Sequence, residues 1–360
     1  MGRPNFVFAG ACAFALAAAT VVVAAAEDLP IRDPDGVVVP TYVRLPIILL
    51  LAWLIDVVPR AVLQSRGGEA RFLGAVREVV RERWNRRHVV FAVSGLGTWY
   101  VCYAAFRNLK SYVPFVNGRI WDDELERLDN ALWLGHHPAE TLHTIFGTTV
   151  SAEFFSFIYV SWIVLIPVSL AIALVWTRHP AAGSWYVTAI ALDWLLGVAA
   201  YYALPTLGPA YSEPDDFSHL DRTFTTTLVE DLWSDRLAVV PELGGDPHTT
   251  NAVQTIAAFP SLHVGIMMTI CLFLVLIGAA RWVRVTAWVY LGLTVLATIY
   301  FGWHFSLDAV GGAAVGALAV WLAALGTGNH SGWWPRLVDR GSLEEPDQAV
   351  QPSTAASRPA

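Results

Sequence analysis

The sequence predicts an all-α, polytopic membrane helical bundle, and three observations support this fold class. The 360 residues are 55% hydrophobic and only 15% charged, whereas a soluble domain is about 25% charged. The mean hydropathy is +0.49. Apolar runs of about 20 residues, the length that crosses a bilayer, recur along the chain. The cysteines lie inside these runs without metal-ligand spacing, so no disulfide framework is indicated.

About eight such runs predict about eight transmembrane helices. The second run is short and carries Asp56, so among the runs it fits the pattern of a transmembrane helix least well. The runs lie at residues 6–26, 43–59, 89–106, 153–176, 184–204, 260–280, 283–301 and 305–325.

The charges in the loops predict the orientation. Between the second and third runs the chain carries eight arginines against three glutamates, and basic loops remain in the cytoplasm. The long 205–258 loop is acidic and falls on the opposite side. A nucleic-acid or anionic-lipid patch is the alternative for the basic run, but a solvated cytoplasmic linker is favoured, and no nucleic-acid partner is expected.

This pattern divides the chain into three parts. Residues 1–88 hold two transmembrane helices and the basic cytoplasmic loop, residues 89–325 form the core, and residues 326–360 form a cytoplasmic, largely disordered tail. The first run is either a retained helix or a signal peptide, because Ala24-Ala25-Ala26 resembles a cleavage site. A retained helix is favoured because the run exceeds the usual signal core.

Two short polar segments, called here the first and second polar islands, begin two of the apolar runs. They cover residues 259–263 and 304–308. The second contains His304 and Asp308, whose i,i+4 spacing lets the carboxylate hold one imidazole nitrogen and leave the other as a nucleophile. The first contains His263, a suitable general acid and base for the leaving alkoxide and the attacking water. The predicted topology brings both islands to the extracytoplasmic face. Together they predict phosphoryl transfer through a phosphohistidine on His304.

Residues near these histidines are candidate phosphate ligands. Pro260 is a favoured first helical residue, which would place Ser261 in an anion-attracting first turn. Lys110, the only lysine, lies at the same membrane level, flanked by Arg107 and Arg119. A snorkelling membrane anchor is the alternative role for Lys110.

The two islands resemble motifs of the type-2 phosphatidic acid phosphatase superfamily. Pro260-Ser261-Leu262-His263 is similar to its Pro-Ser-x-His motif, and His304 with Asp308 is similar to the end of its His-x-x-x-Asp motif. The resemblance, over about residues 89–325, implies a six-helix core. The implied site residues are catalytic His304, His263 and Asp308, with Ser261, Lys110 and Arg119 on the phosphate. It also implies catalysis without a metal or other cofactor, so that EDTA has no effect.

Two departures indicate a branch of that superfamily. Ala297 and Thr298 stand where a Ser-Arg pair usually precedes the histidine, and Lys110 and Arg119 lack the usual spacing. Both features resemble the inositolphosphotransferase, or inositol phosphorylceramide synthase, branch. The 204–209 segment and the Asp-rich stretch after Lys110 are also similar to that branch.

Three further features have simpler interpretations. His136, His137 and His143 suggest a metal site, but no carboxylate stands at supporting spacing in what is expected to be an exposed loop. Asp193 within the fifth run must face the bundle interior, for pairing or for proton relay. Gly312 and Gly316 have the small-xxx-small spacing of a helix contact.

The sequence therefore predicts a multi-pass cell-membrane enzyme with an extracytoplasmic active site. Its expected activity is metal-independent hydrolysis or transfer of a phosphoryl group on a lipid phosphate. Transfer of a phospho-headgroup to a lipid alcohol is the alternative within this chemistry.

A vanadate-dependent haloperoxidase shares the motifs but belongs to a soluble class. A non-enzymatic transporter or scaffold, with the histidines as a proton relay, is the alternative of another class. Oligomeric state is left open.

Overall fold

The structure, a computed structural model, confirms the all-α fold class. It describes residues 6–33, 41–65, 69–177 and 179–338. A π-helical turn, Ile172–Trp176, extends α7, and 3₁₀ turns cover Pro214–Phe217 and Pro241–Leu243. The α-helices in this part of the chain are α1 (Val7–Ala26), α2 (Thr41–Ser65), α3 (Glu69–Arg83), α4 (Arg86–Val116), α5 (Asp122–Leu132), α6 (Pro138–Phe146), α7 (Val150–Ala171), α8 (Pro180–Ala203), α9 (Pro209–Ser212), α10 (Phe224–Val239), α11 (Leu262–Leu276), α12 (Arg281–Tyr300) and α13 (Ser306–Thr327).

Six helices among the described residues are long and apolar enough to cross a membrane: α1, α4, α7 with its π turn, α8, α12 and α13. The chain is thus a multi-pass membrane protein. Two of the eight predicted spans, α2 and α11, are not in this group.

The helix α11 is shorter than the predicted 260–280 span. It has 15 residues, about 22 Å at 1.5 Å per residue, against about 30 Å of hydrocarbon. Its start is set by Ser261, which caps the helix, and its end is followed by Gly278 with a φ of 70°. It packs instead among α8, α12 and α13.

The basic segment after α2 is a helix rather than the predicted solvated linker. It forms α3, which packs against α2. Asp56, only 1% exposed, accepts hydrogen bonds from Arg60 (3.2 Å), Arg83 (3.0 Å) and Trp84 (3.1 Å). These partners explain how an apolar helix retains a buried carboxylate.

The helix α8 lies at the centre of the bundle and packs against α1, α4, α11 and α13. The helix α1 belongs to this packing, since Thr20 donates to the carbonyl of Ala105 on α4. Asp193 on α8 is fully buried and accepts from the hydroxyl of Thr269 on α11, at 2.9 and 3.1 Å to its two oxygens. Asp193 thus faces the interior, as predicted.

Close contact between α11 and α13 depends on glycine, as the small-xxx-small spacing predicted. A Cβ on Gly312 would lie 2.1 Å from the Ser261 carbonyl oxygen, and one on Gly316 would lie 2.2 Å from the Gly265 carbonyl oxygen. The contact holds the starts of the two helices together. Both of the polar islands lie at these starts.

The segment after α13 contains a short antiparallel hairpin of β1 (His330–Ser331) and β2 (Trp334–Pro335). The predicted tail is therefore ordered at its beginning. The disorder predicted beyond about residue 341 lies outside the described residues.

Candidate active site

The first polar island forms the N-terminus of α11. Ser261 is the N-cap, and its Oγ accepts from the N–H of Val264 at 3.5 Å. The prediction that Pro260 is the first helical residue is wrong, because α11 begins at Leu262. The N–H of Ser261 donates to the carbonyl of Asp308 at 2.9 Å, which links the two islands directly.

The second island lies in the turn between α12 and α13. Nδ1 of His304 is 3.2 Å from Oδ2 of Asp308, and the same oxygen accepts from the N–H of Phe305 at 3.0 Å. His304 precedes α13 rather than standing on it, so the turn and the carboxylate together hold the ring. A carboxylate on Nδ1 leaves Nε2 for nucleophilic attack.

The surroundings of His304 favour its neutral form. Burial lowers the pKa of His304 to about 3, and the positive charge of Lys110 acts in the same direction. A hydrogen bond with the backbone of Ala258 opposes both effects. The neutral imidazole is the form of histidine that can act as a nucleophile.

The second histidine faces the first across a short gap. The ring centroids of His263 and His304 are 5.7 Å apart, in an edge-to-face arrangement. Tyr159 and Trp162 on α7 flank the His263 ring at centroid distances of 4.8 and 4.4 Å. This packing fixes the ring at a distance from which both histidines can contact one phosphoryl group.

Two cations of α4 lie in the same cavity as the histidines. Nζ of Lys110 is 5.0 Å from the ring centroid of Tyr201, and Arg107 lies one turn earlier on the helix. Nε of Arg107 is buried without a hydrogen-bond partner. The cavity lining includes these two cations but no carboxylate among the described residues. The site therefore suits an anion.

The cavity is large and mostly apolar. Its volume is about 530 Å³, and His263 and His304 lie in its wall. It continues along α4 and α7 past Ile166 to Leu174, and it reaches Ala52 on α2. Its shape thus joins a small polar region to a long hydrophobic one.

The remaining predicted site residues lie outside this lining. Arg119 pairs with Glu124 at 3.3 Å, lies 3.5 Å from the Trp121 ring centroid, and has a side chain that is 59% exposed. The structure does not bring Arg119 to the histidines. Ser261 and Asp308 are fully buried behind the cavity wall and act there through the hydrogen bonds already described.

The 204–209 segment and α5 position the site, a role that sequence reasoning missed. The carboxylate of Asp122 accepts from the N–H groups of Leu207 (2.8 Å) and Gly208 (2.7 Å). Thr206 accepts from the N–H of Phe259, the first residue of the first island, at 2.7 Å. Gly208 has a φ of 96°, and a Cβ there would lie 2.6 Å from the carbonyl oxygen of Trp303. The 204–209 segment and the Asp-rich stretch after Lys110, which both resembled the inositolphosphotransferase branch, are thus joined by hydrogen bonds.

The helix α5 also holds the second island. Oδ2 of Asp129 accepts from the N–H of Ser306 at 2.9 Å, and the indole of Trp133 donates to the Ser306 hydroxyl at 2.9 Å. Oδ1 of Asp129 is buried without a partner. The Asp-rich composition after Lys110 was the available sequence signal, but it did not show which carboxylates are buried.

The three neighbouring histidines do not form a common site. Nε2 of His143 contacts the carbonyl of Tyr300 at 2.8 Å, and Nδ1 contacts His219 at 3.1 Å. The expectation of an exposed loop is wrong for His143, which is 6% exposed because α6 packs against α12. His137 instead lies 3.6 Å from Glu213, a carboxylate far away in sequence.

Two facing histidines and two cations share one cavity in a helical membrane bundle, an arrangement suited to a membrane enzyme that acts on an anionic substrate. A model of the PAP2 superfamily matches residues 123–322, more than half of the sequence, and the chain belongs to that superfamily. Membership supports a phosphatase-type activity. Neither the curated proteins nor the solved structures contain a significant match. Lys110 and Arg119 precede the matched residues, so the placement of Lys110 rests on geometry alone.

Proposed function

We propose that this protein hydrolyses or transfers the phosphoryl group of a membrane lipid through a phosphohistidine on His304. One observation carries the proposal: His304, His263 and Lys110 share the polar end of a single long apolar cavity. A lipid phosphate has the matching shape, with an anionic head and a hydrocarbon tail.

In the first half of the reaction, Nε2 of His304 attacks phosphorus and the bond between phosphorus and the ester oxygen breaks. His263 gives its proton to the departing alkoxide. In the second half, His263 takes a proton from water or from an alcohol, whose oxygen attacks phosphorus. The N–P bond then breaks and neutral His304 is regenerated. Asp308 orients the imidazole and stabilises positive charge on it.

Arg107 and Lys110 are the proposed phosphate ligands. Thr298, which occupies the usual arginine position, is fully buried and donates its hydroxyl to Val295 of its own helix. It therefore offers no cation to the cavity. Arg107 on α4 instead brings a guanidinium with an unpartnered Nε to the cavity. This assignment replaces Arg119, whose side chain is exposed and paired.

Transfer of a phospho-headgroup to a lipid alcohol, as in the inositolphosphotransferase-like branch, is the second candidate function. The Asp122 contacts with Leu207 and Gly208 join the two segments that carry that resemblance. We further propose that the cavity serves the extracytoplasmic side of the cell membrane, because the helix connections rich in arginine lie at the other end of the predicted topology.

The first test supplies purified protein with a panel of lipid phosphates, with and without alcohol acceptors, and identifies products by mass spectrometry. Free phosphate in the products indicates hydrolysis. A new phosphate monoester of the acceptor alcohol, or a new phosphodiester when the donor is itself a diester, indicates transfer. His304→Ala is expected to lower turnover by at least about 10³-fold, because no other group can form the intermediate. The control is His136→Ala, which removes an exposed histidine. Full activity of His304→Ala would refute the mechanism.

A second test separates the two histidines. With a lipid analogue that carries a nitrophenolate leaving group, His263→Ala is expected to release one equivalent of nitrophenolate and then to stall. A good leaving group needs no proton, whereas water still needs a base. Phosphorylated His304 should accumulate and be detectable by peptide mass spectrometry. Steady turnover by His263→Ala at the wild-type rate contradicts the assigned role.

The transporter or scaffold alternative makes the opposite prediction. It requires Asp193, which is buried against Thr269, and tolerates changes at His304. The phosphatase proposal expects Asp193→Asn to retain catalysis if the protein folds, because Asp193 does not line the reaction cavity. Lipid turnover by the two variants decides between the classes.

A further inference from the structure

A second group of ionisable side chains lies in the connections beside the catalytic turn. His137 is the N-cap of α6, and Glu213 and Asp216 lie at the 3₁₀ turn after α9. One potential ligand atom from each side chain lies within 4.8 Å of the other two. The three residues come from two separate stretches of chain, so their approach is a product of the fold.

The spacing of this group matches metal coordination. Nε2 of His137 and Oε2 of Glu213 are 3.6 Å apart. Two ligands bound to a tetrahedral zinc at about 2.0–2.1 Å are separated by about 3.4 Å. Small side-chain movements would therefore suffice to bind an ion between them.

Carboxylates outnumber histidines in this group and its immediate contacts. Glu126 on α5 lies against Glu213, so three carboxylates surround one imidazole. The negative charges of these carboxylates repel one another at such short range. A bound cation would relieve this repulsion.

Unpartnered buried atoms provide an independent observation. Asp129 is 2% exposed, and its Oδ1 has no hydrogen-bond partner. Nδ1 of His137 also has none. Both side chains, together with Glu126 and His304, line a cavity of about 10 Å³, close to the volume that one water needs. Metal-bound histidines commonly use their second nitrogen for such an outer hydrogen bond.

We propose that His137, Glu213 and Asp216 bind a divalent cation of the zinc class, at a site separate from the reacting phosphoryl group. The mixed set of one imidazole and two carboxylates favours Zn²⁺ over Ca²⁺ or Mg²⁺, which prefer oxygen ligands alone. The ion joins α6 to the 3₁₀ turn. Through the small cavity and Asp129, whose Oδ2 holds Ser306, it also braces the turn that carries His304.

The test measures metal binding by full-length protein in detergent after treatment with EDTA and removal of the chelator. Titration with Zn²⁺ by calorimetry, with elemental analysis, is expected to give one tight site per chain. Ca²⁺ and Mg²⁺ are expected to bind at least 10-fold more weakly. Co²⁺ should give the intense visible absorption of a tetrahedral site.

Matched variants locate the site. His137→Ala and Glu213→Gln are expected to weaken Zn²⁺ binding at least 10-fold. His136→Ala and Glu242→Gln, which remove an adjacent exposed histidine and an exposed acid of the same long loop, should bind as the wild type does. Unchanged thermal transitions without metal verify that each variant folds. Wild-type affinity in both site variants, or no Zn²⁺ binding by the folded wild type, overturns the proposal.

The outcome is independent of the proposed reaction, because binding is read without turnover. Zinc binding by an inactive protein would refute only the phosphoryl-transfer proposal. Lipid turnover by a protein that binds no zinc would refute only the metal site. In the wild type, EDTA is expected to lower the unfolding temperature, and Zn²⁺ is expected to restore it.

Discussion

At the scale of single residues, Arg107 is the strongest addition to the predicted site. Its guanidinium shares the cavity with Lys110 and both histidines. Arg107→Gln is expected to lower kcat/KM for a lipid phosphate by about 10- to 100-fold, since a charged hydrogen bond contributes about 1.5–3 kcal/mol. Arg119→Gln is expected to change it less than about twofold, because Arg119 pairs with Glu124 in solvent. The reverse order of effects in steady-state kinetics would restore Arg119 to the site.

Asp122 makes stability depend on pH. Burial raises the pKa of Asp122 from 3.8 to about 6, although its hydrogen bonds to Leu207 and Gly208 act against the shift. The folded state therefore binds the proton more tightly than the unfolded chain does. The resulting stabilisation is complete below about pH 4 and is lost as the pH rises through about 6, with a range of at most about 3 kcal/mol.

The measurement compares Asp122→Asn with the wild type. Between pH 5 and pH 8 the unfolding temperature of the wild type is expected to fall further than that of Asp122→Asn, because the amide does not titrate. Parallel curves for the two proteins would show that Asp122 is not the titrating group. Asp123→Asn, at the neighbouring position where the side chain is exposed, serves as the control.

At the scale of helices, the site depends on how closely α11 approaches α13. Gly312→Ala places a methyl group against the Ser261 carbonyl, where a Cβ would be 2.1 Å from the oxygen. The expected cost of about 1–3 kcal/mol lowers the unfolding temperature by about 2–10 °C. Activity should fall as well, because the Ser261–Asp308 hydrogen bond spans the same contact.

The control for this prediction is Gly292→Ala on α12. A Cβ at Gly292 meets no heavy atom within 4 Å, so the methyl group has room. Its unfolding temperature should equal or exceed that of the wild type, because alanine favours helix over glycine. Equal destabilisation by both substitutions would show that the α11–α13 contact is not special.

The helices also show where patterns in the sequence mislead. Hydropathy predicted the position of α11 correctly but predicted a helix longer than the one observed. The reason is that the apolar run continues beyond the turn at Gly278. The arginine-rich stretch predicted a linker, yet Arg83 turns inward to Asp56 and the stretch folds as α3. Periodicity and composition report the average environment of a segment. They do not report a specific partner from another segment.

At the scale of the whole molecule, the cavity connects the proposed reaction to the length of its substrate. Ala171, at the end of α7 away from the histidines, lines the cavity. Ala171→Trp is expected to raise KM about 10-fold for a long-chain lipid phosphate and to leave a short-chain one nearly unchanged, because the indole occupies space for the tail. Ile172→Trp, at the adjacent exposed position, is the control. Equal effects on both chain lengths would exclude this path for the tail.

The sequence by itself determined the class of the protein. Apolar runs of membrane length predicted the helical bundle, and the His304–Asp308 spacing with Pro260-Ser261-Leu262-His263 predicted the family that the match over residues 123–322 confirms. These features are local, since a span or a short motif is specified within about 20 consecutive residues.

Tertiary structure alone decided which polar groups meet. It brought Arg107 to the phosphate cavity, left Arg119 in solvent, and placed His137 beside Glu213, a residue 76 positions later. No fixed spacing in the sequence predicts these contacts. Each of them depends on the packing of helices and connections that are distant along the chain. Charge and residue type can identify a polar side chain as a candidate for the site. Only the fold sets the distance of that side chain to a partner and its exposure to water.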